Sequence, residues 1–66
     1  MSMRDVKLKE IGQKCKEFRK KIKASQRDVA NDLCYTAENI SAFENGRNDN
    51  AIILLWYVRN GLDFTQ

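Results

Sequence analysis

Leu8, Ile11, Cys15, Phe18 and Ile22 are spaced three, four, three and four residues apart. That spacing lays all five along one stripe of an α-helix, so the amino-terminal third of the chain is predicted to be helical. Ser2 and Asp5 have the spacing of a capping box, which would start this helix almost at the first residue. Gly12 falls inside it and costs about 1 kcal/mol relative to Ala, a cost that points to another backbone packed closely at that position. Ser25 and Asp28 repeat the capping-box spacing and open a second helix over residues 26–33, with Val29, Ala30 and Leu33 inward. After a tight stretch at Cys34 and Tyr35, Thr36 caps a third helix that turns Ile40 and Phe43 inward and closes at Gly46. Asn48, Asp49 and Asn50 form a loop or cap, and residues 51–60 form a fourth helix ended by Gly61.

No strand-like alternation interrupts these stripes, and the chain has no Pro and three Gly, so the expected class is all-α. At 66 residues it is one domain, 1–66, without repeats or a linker. A chain of this length buries only about 60 % of the surface its unfolded form exposes, which leaves a marginal core that a partner chain would reinforce. No apolar run is long enough to span a membrane and the amino end lacks a signal-peptide core, so a cytoplasmic protein without membrane association is expected. Cys15 and Cys34 stand far apart in a chain without His, which excludes a CxxC pair or a zinc set and predicts two buried free thiols. No metal and no cofactor is expected.

The net charge of +3 conceals an asymmetry. Residues 1–27 carry ten bases against three acids, a net of +7, whereas residues 28–66 carry Arg47 and Arg59 against six acids, a net of −4. Such a basic half suits a polyanionic partner, or equally a solvated lysine face on a helix. An enzyme is disfavoured: there is no His, no matched nucleophile and base, and no glycine loop to cradle phosphate.

Two short helices joined by a tight turn, at about residues 26–45, make a helix-turn-helix arrangement. Its residues sharpen the reading. Ser25-Gln26-Arg27-Asp28-Val29-Ala30 and Ile40-Ser41-Ala42-Phe43-Glu44-Asn45-Gly46-Arg47, with Ile11-Gly12 and Phe18-Arg19 upstream, resemble the phage-repressor and Cro type (XRE-like) helix-turn-helix family over about residues 8–62. The resemblance implies a compact four- to five-helix, lambda-repressor-like domain that regulates transcription by binding double-stranded DNA, with helix 36–45 in the major groove. It further implies that Gln26, Asn45 and Arg47 hold backbone phosphates, which set register and salt-dependent affinity. For Gln26 the alternative is a plain exposed first-turn residue. Arg19 and Glu44 match a structural ion pair between the first and third helices.

The chain departs from the family pattern in three places. Cys34 stands at the turn position usually held by Gly, which asks a side chain with a Cβ to adopt a conformation Gly prefers. The base-facing set is Thr36, Ala37, Glu38, Asn39, Ser41 and Ala42, and the family's base-reading positions fall on Ala37, Glu38 and Ala42, none of which is the Arg, Asn or Gln of bidentate readout. Ala can touch a thymine methyl, Glu38 can accept from cytosine at the cost of phosphate repulsion, and Asn39 is the best hydrogen-bonding candidate; simple solvent exposure is the alternative for all of them. Finally, only residues 62–66 remain where a fifth helix often stands. The fourth helix is apolar from Ile52 to Val58, with Ile53, Leu54, Tyr57 and Val58 expected inward and Ile52, Leu55, Trp56 and Arg59 outward as a homodimer interface. Two functions stay open on these grounds: a sequence-specific homodimeric regulator, and a protein-interaction module on the same fold, such as an antirepressor, that binds another regulatory protein.

Overall fold

The computed structural model describes residues 3–63, and Ser2 of the expected Ser2–Asp5 capping pair lies outside them. Four helices follow one another: α1 (Met3–Lys21), α2 (Gln26–Leu33), α3 (Ala37–Glu44) and α4 (Ala51–Arg59), with no strand among the described residues. A fifth helix is absent from the same residues.

Local chemistry sets most of these boundaries. The Ser25 hydroxyl accepts from the Asp28 N–H at 3.0 Å while the Asp28 carboxylate accepts from the Ser25 N–H at 2.9 Å, so each satisfies a donor that the start of α2 would leave open. Those bonds hold the Asp28 carboxyl below its ordinary range. Cys34 closes α2 in the left-handed region at φ 58°, and the Tyr35 N–H returns to the Ala30 carbonyl at 2.8 Å. The residue at the atypical turn position thus adopts the conformation that Gly would adopt more cheaply. Thr36 caps α3 through the Asn39 N–H, and Gly46 at φ 75° closes it while the Arg47 N–H bonds the Ala42 carbonyl at 2.8 Å. Asn50 caps α4 by accepting from the Ile52 N–H at 2.9 Å.

Cys15, Val29, Ala30, Ile40, Phe43, Ile53 and Tyr57 form the core, one or two from every helix. Ile11, Phe18, Leu33, Tyr35, Leu54, Trp56 and Leu62 surround it. Helix α1 packs on α3 and α4, and α2 packs on the same two. The radius of gyration of 11.1 Å is close to the roughly 11 Å of a compact domain of this length. No helix among the described residues is long and apolar enough to cross a membrane.

Four side chains sit elsewhere than the sequence implies, Trp56 of the candidate site below among them. Ile22 is 41 % exposed, because α1 stops at Lys21 and Lys23 turns the chain into the left-handed region at φ 62°, which takes Ile22 off the stripe. Val58 is 44 % exposed: Ile53 and Tyr57 aim α4 at the core, and at 100° per residue Val58 lies well round the helix from both. Cys15 is buried as expected, but Cys34 is exposed, since the left-handed turn swings it outward.

Candidate nucleic-acid interface

Under the carboxyl end of α3 lies a buried polar cluster. Arg19 and Glu44 are 7 % and 3 % exposed, and the guanidinium grips the carboxylate as a fork, Nε to Oε2 at 2.7 Å and Nη2 to Oε1 at 3.1 Å. The third arm of the guanidinium donates to the Ala24 carbonyl at 2.9 Å, which ties the α1–α2 turn to the same point. Tyr57 Oη donates to Glu44 Oε2 at 2.5 Å and Gln26 Nε2 donates to Glu44 Oε1 at 3.3 Å. All four helices or their flanks therefore meet at one carboxylate. Burial pushes the Glu44 carboxyl up, but the bonds from Arg19, Tyr57 and Gln26 outweigh it and hold the carboxyl below its usual range. The bond to Glu44 raises Arg19 despite its burial, and burial followed by the Glu44 bond raises Tyr57. No buried side-chain nitrogen or oxygen among the described residues lacks a partner, so the cluster is fully satisfied.

This anchoring decides which side of α3 is presented. Ile40, Phe43 and Glu44 are buried, whereas Thr36, Glu38 and Asn39 are exposed and Ala37, Ser41 and Ala42 are half-buried. Five of these six residues carry no charge, and Glu38 is the exception. At the other end of α3, Asn45 is exposed and its amide donates to the Ser41 carbonyl at 2.9 Å and to the Ser41 hydroxyl at 3.3 Å. Arg47 is exposed in the connection that follows. Gln26 is half-buried, its amide turned to Glu44 rather than simply outward. The three residues expected at phosphates thus differ in readiness: Arg47 presents its charge to solvent, while Asn45 and Gln26 spend an amide N–H inside the domain.

Sequence reasoning missed Tyr57 as a polar residue. Its position on the inward face of α4 was legible, and a buried phenol needs an acceptor; that the acceptor is Glu44 follows only from how α4 crosses α3.

On the outside of α4, Ile52 and Leu55 are 53 % and 55 % exposed, and Val58 joins them. Trp56 differs from its expected outward placement. Its ring meets the Tyr57 ring edge-on at 5.2 Å, its N–H donates to Asp32 Oδ2 at 2.9 Å, and it packs against the core edge. A groove of about 250 Å³ runs here between α2 and α4, lined by Asp32, Leu33, Ile52, Leu55, Trp56, Arg59 and Asn60. Among the described residues no group of His, Cys, Asp or Glu is placed to hold a metal ion. Compared with known proteins, the chain matches no family profile, no curated protein and no solved structure.

Proposed function

We propose that this chain is a sequence-specific, DNA-binding transcriptional regulator of the phage-repressor and Cro type, a binding module and not an enzyme. The observation that supports this most is the setting of α3. Its buried stripe is fastened through Glu44, Thr36, Glu38 and Asn39 at its amino end are exposed for a groove, and Arg47 stands beyond its other end where a backbone phosphate would pass. The helix-turn-helix reading of α2 and α3 rests on the same placement and on the residues Ser25–Ala30 and Ile40–Arg47. Cys15 has no part in chemistry on this reading: burial and the Glu44 charge push its thiol up to about 12, so it stays protonated.

Titration of a labelled duplex at several salt concentrations tests the proposal. Binding should weaken steeply with salt, and a footprint should mark a preferred site. Arg47→Ala should weaken preferred and arbitrary duplexes about equally and lower the salt slope by about one, because a phosphate contact carries no sequence choice. A loss confined to one base position would assign Arg47 to base reading instead.

Homodimerisation through the outer face of α4 belongs to the same proposal, since it would set two copies of α3 about 34 Å apart on a pseudo-palindromic site. Ile52, Leu55 and Val58 supply the apolar contact, with Arg59 and Asp32 beside it as charges of opposite sign. Leu55 is the informative position, because Trp56→Ala would also remove a packed ring and the Asp32 bond. Leu55→Asp should give a folded monomer in analytical ultracentrifugation with weaker DNA binding. Wild-type protein sedimenting as a monomer at tens of micromolar on and off DNA would sink the dimer. The exposed apolar band is also what favours the second reading, a module that docks on another regulatory protein; absence of DNA binding at every salt concentration moves the assignment there.

A further inference from the structure

Lys9, Gln13, Lys16 and Lys20 are spaced four, three and four residues apart, so α1 carries a polar stripe in addition to its core stripe. Gly12 and Arg19 lie between the two stripes, and both meet the end of α3. At Gly12 the contact is backbone to backbone, a Cβ there falling 2.7 Å from the Phe43 carbonyl oxygen; at Arg19 it is the fork on Glu44. The polar stripe is thereby brought alongside the α3–α4 connection. Gly46 in that connection lies so close to α1 that a Cβ would stand 2.9 Å from Lys9 Cα. Between them opens a cleft of about 460 Å³ lined by Lys9, Gln13, Glu44, Asn45, Gly46 and Arg47.

The charge of this cleft is decided by what happens to Glu44. Both its oxygens are already taken, Oε2 by Arg19 and Tyr57 and Oε1 by Arg19 and Gln26. The Arg19 charge neutralises it at contact distance. What remains toward solvent is one cation from α1 and one from the connection, Lys9 and Arg47, both exposed. A water takes about 30 Å³, so a cleft of this volume admits a phosphate with part of its sugar.

We propose that this cleft seats a DNA-backbone phosphate between Lys9 and Arg47, making α1 a contact surface as well as a packing helix. Arg47 supplies the planar fork and Lys9 a compact point charge on a flexible stem, and Gln13 and Gly46 form the walls. The inference rests on the DNA-binding reading and adds to it the strand that runs past α1. The remaining lysines of α1 are not equivalent. Lys21 lines a different groove, with Lys14, Glu17, Phe18, Leu62 and Asp63, where two carboxylates accompany the bases.

That contrast gives the experiment. Wild type, Lys9→Ala and Lys21→Ala, which lose the same charge from the same helix, are titrated with a labelled mixed-sequence duplex about two helical turns long, between roughly 50 and 200 mM salt. Circular dichroism melts check that all three are equally folded, as expected for exposed positions taking the best helix former. Lys9→Ala should lower the salt slope by about 0.9, shrinking the affinity lost over that range by about 3.5-fold, while Lys21→Ala keeps the wild-type slope. Wild-type binding with Lys9→Ala unchanged, or with equal drops for the two variants, overturns the cleft and leaves the DNA-binding reading standing. Absence of wild-type binding to any duplex overturns both.

Discussion

Arg19→Met is expected to remove about 3–5 kcal/mol of stability, because it strands a buried carboxylate without its counter-charge. A domain of this length commands only about 3–10 kcal/mol in all, so the variant should be largely unfolded at room temperature or melt far below wild type. Arg19→Lys should recover only part of the loss, since an ammonium cannot make the Nε and Nη2 fork and the bond to Ala24 together. In Arg19→Met combined with Glu44→Leu the charge is gone from both sides, and much of the stability should return. The return stays incomplete because Tyr57 and Gln26 then lose their acceptor. Urea unfolding of the single and double variants measures this directly. A double variant no more stable than Arg19→Met would mean that packing at Arg19, and not the stranded charge, sets the cost.

The same cluster fixes a pH dependence. Burial opposes ionisation of Glu44, but its donors prevail and its folded-state carboxyl titrates below the ordinary range. A depressed acid contributes stability above its unfolded value, about 4.3, and that contribution is lost as pH falls through the folded value. Wild type should therefore lose stability in the acid range, and the double variant should lose less of it.

The sequence displayed the elements of this fold more clearly than their mutual orientation. Ser25 with Asp28, Thr36, Gly46 and Gly61 mark helix ends through bonds within a few residues of themselves, and such bonds are legible in a linear chain. The end of α1 carries no such mark: Lys23 adopts a left-handed conformation without being Gly, and the apolar spacing continues one residue past the helix, to Ile22. In α4 an unbroken apolar run places Ile53 and Tyr57 inward but leaves the exact phase of the helix unspecified. Its phase is set from outside, by Tyr57 reaching Glu44 and Trp56 reaching Asp32, which is why Val58 turned out exposed. The candidate interface divides the same way. Only the family resemblance points to the Arg19–Glu44 pair; like the role of Gln26 as a donor to that pair, and the placement of Lys9 and Arg47 on one cleft, it depends on helix crossings that no local pattern encodes.

Gly12→Ala sets two effects of opposite sign against each other. Ala in a helix interior is favoured over Gly by about 1 kcal/mol, and on an exposed face this substitution would stabilise α1. Here the added methyl would fall 2.7 Å from both the Phe43 carbonyl oxygen and the Glu44 carbonyl carbon, closer still to the Glu44 carbonyl oxygen. These are backbone atoms at the end of a helix fastened by four side-chain bonds, so they cannot step aside as a flexible side chain would. Overpacking of this kind costs about 1–3 kcal/mol and more where the neighbour is rigid, so the loss should prevail, with a net destabilisation of about 2 kcal/mol. In a domain this small that lowers the melting temperature by about 8–16 °C in a calorimetric or circular dichroism scan. A melting temperature raised by Gly12→Ala would show that helix propensity prevails and that α1 does not approach α3 this closely. The consequence for function follows from the same contact. Pushing α1 away from α3 draws Lys9 away from Arg47, so the variant, kept cold enough to stay folded, should show the shallower salt slope expected of Lys9→Ala although every charge is still present.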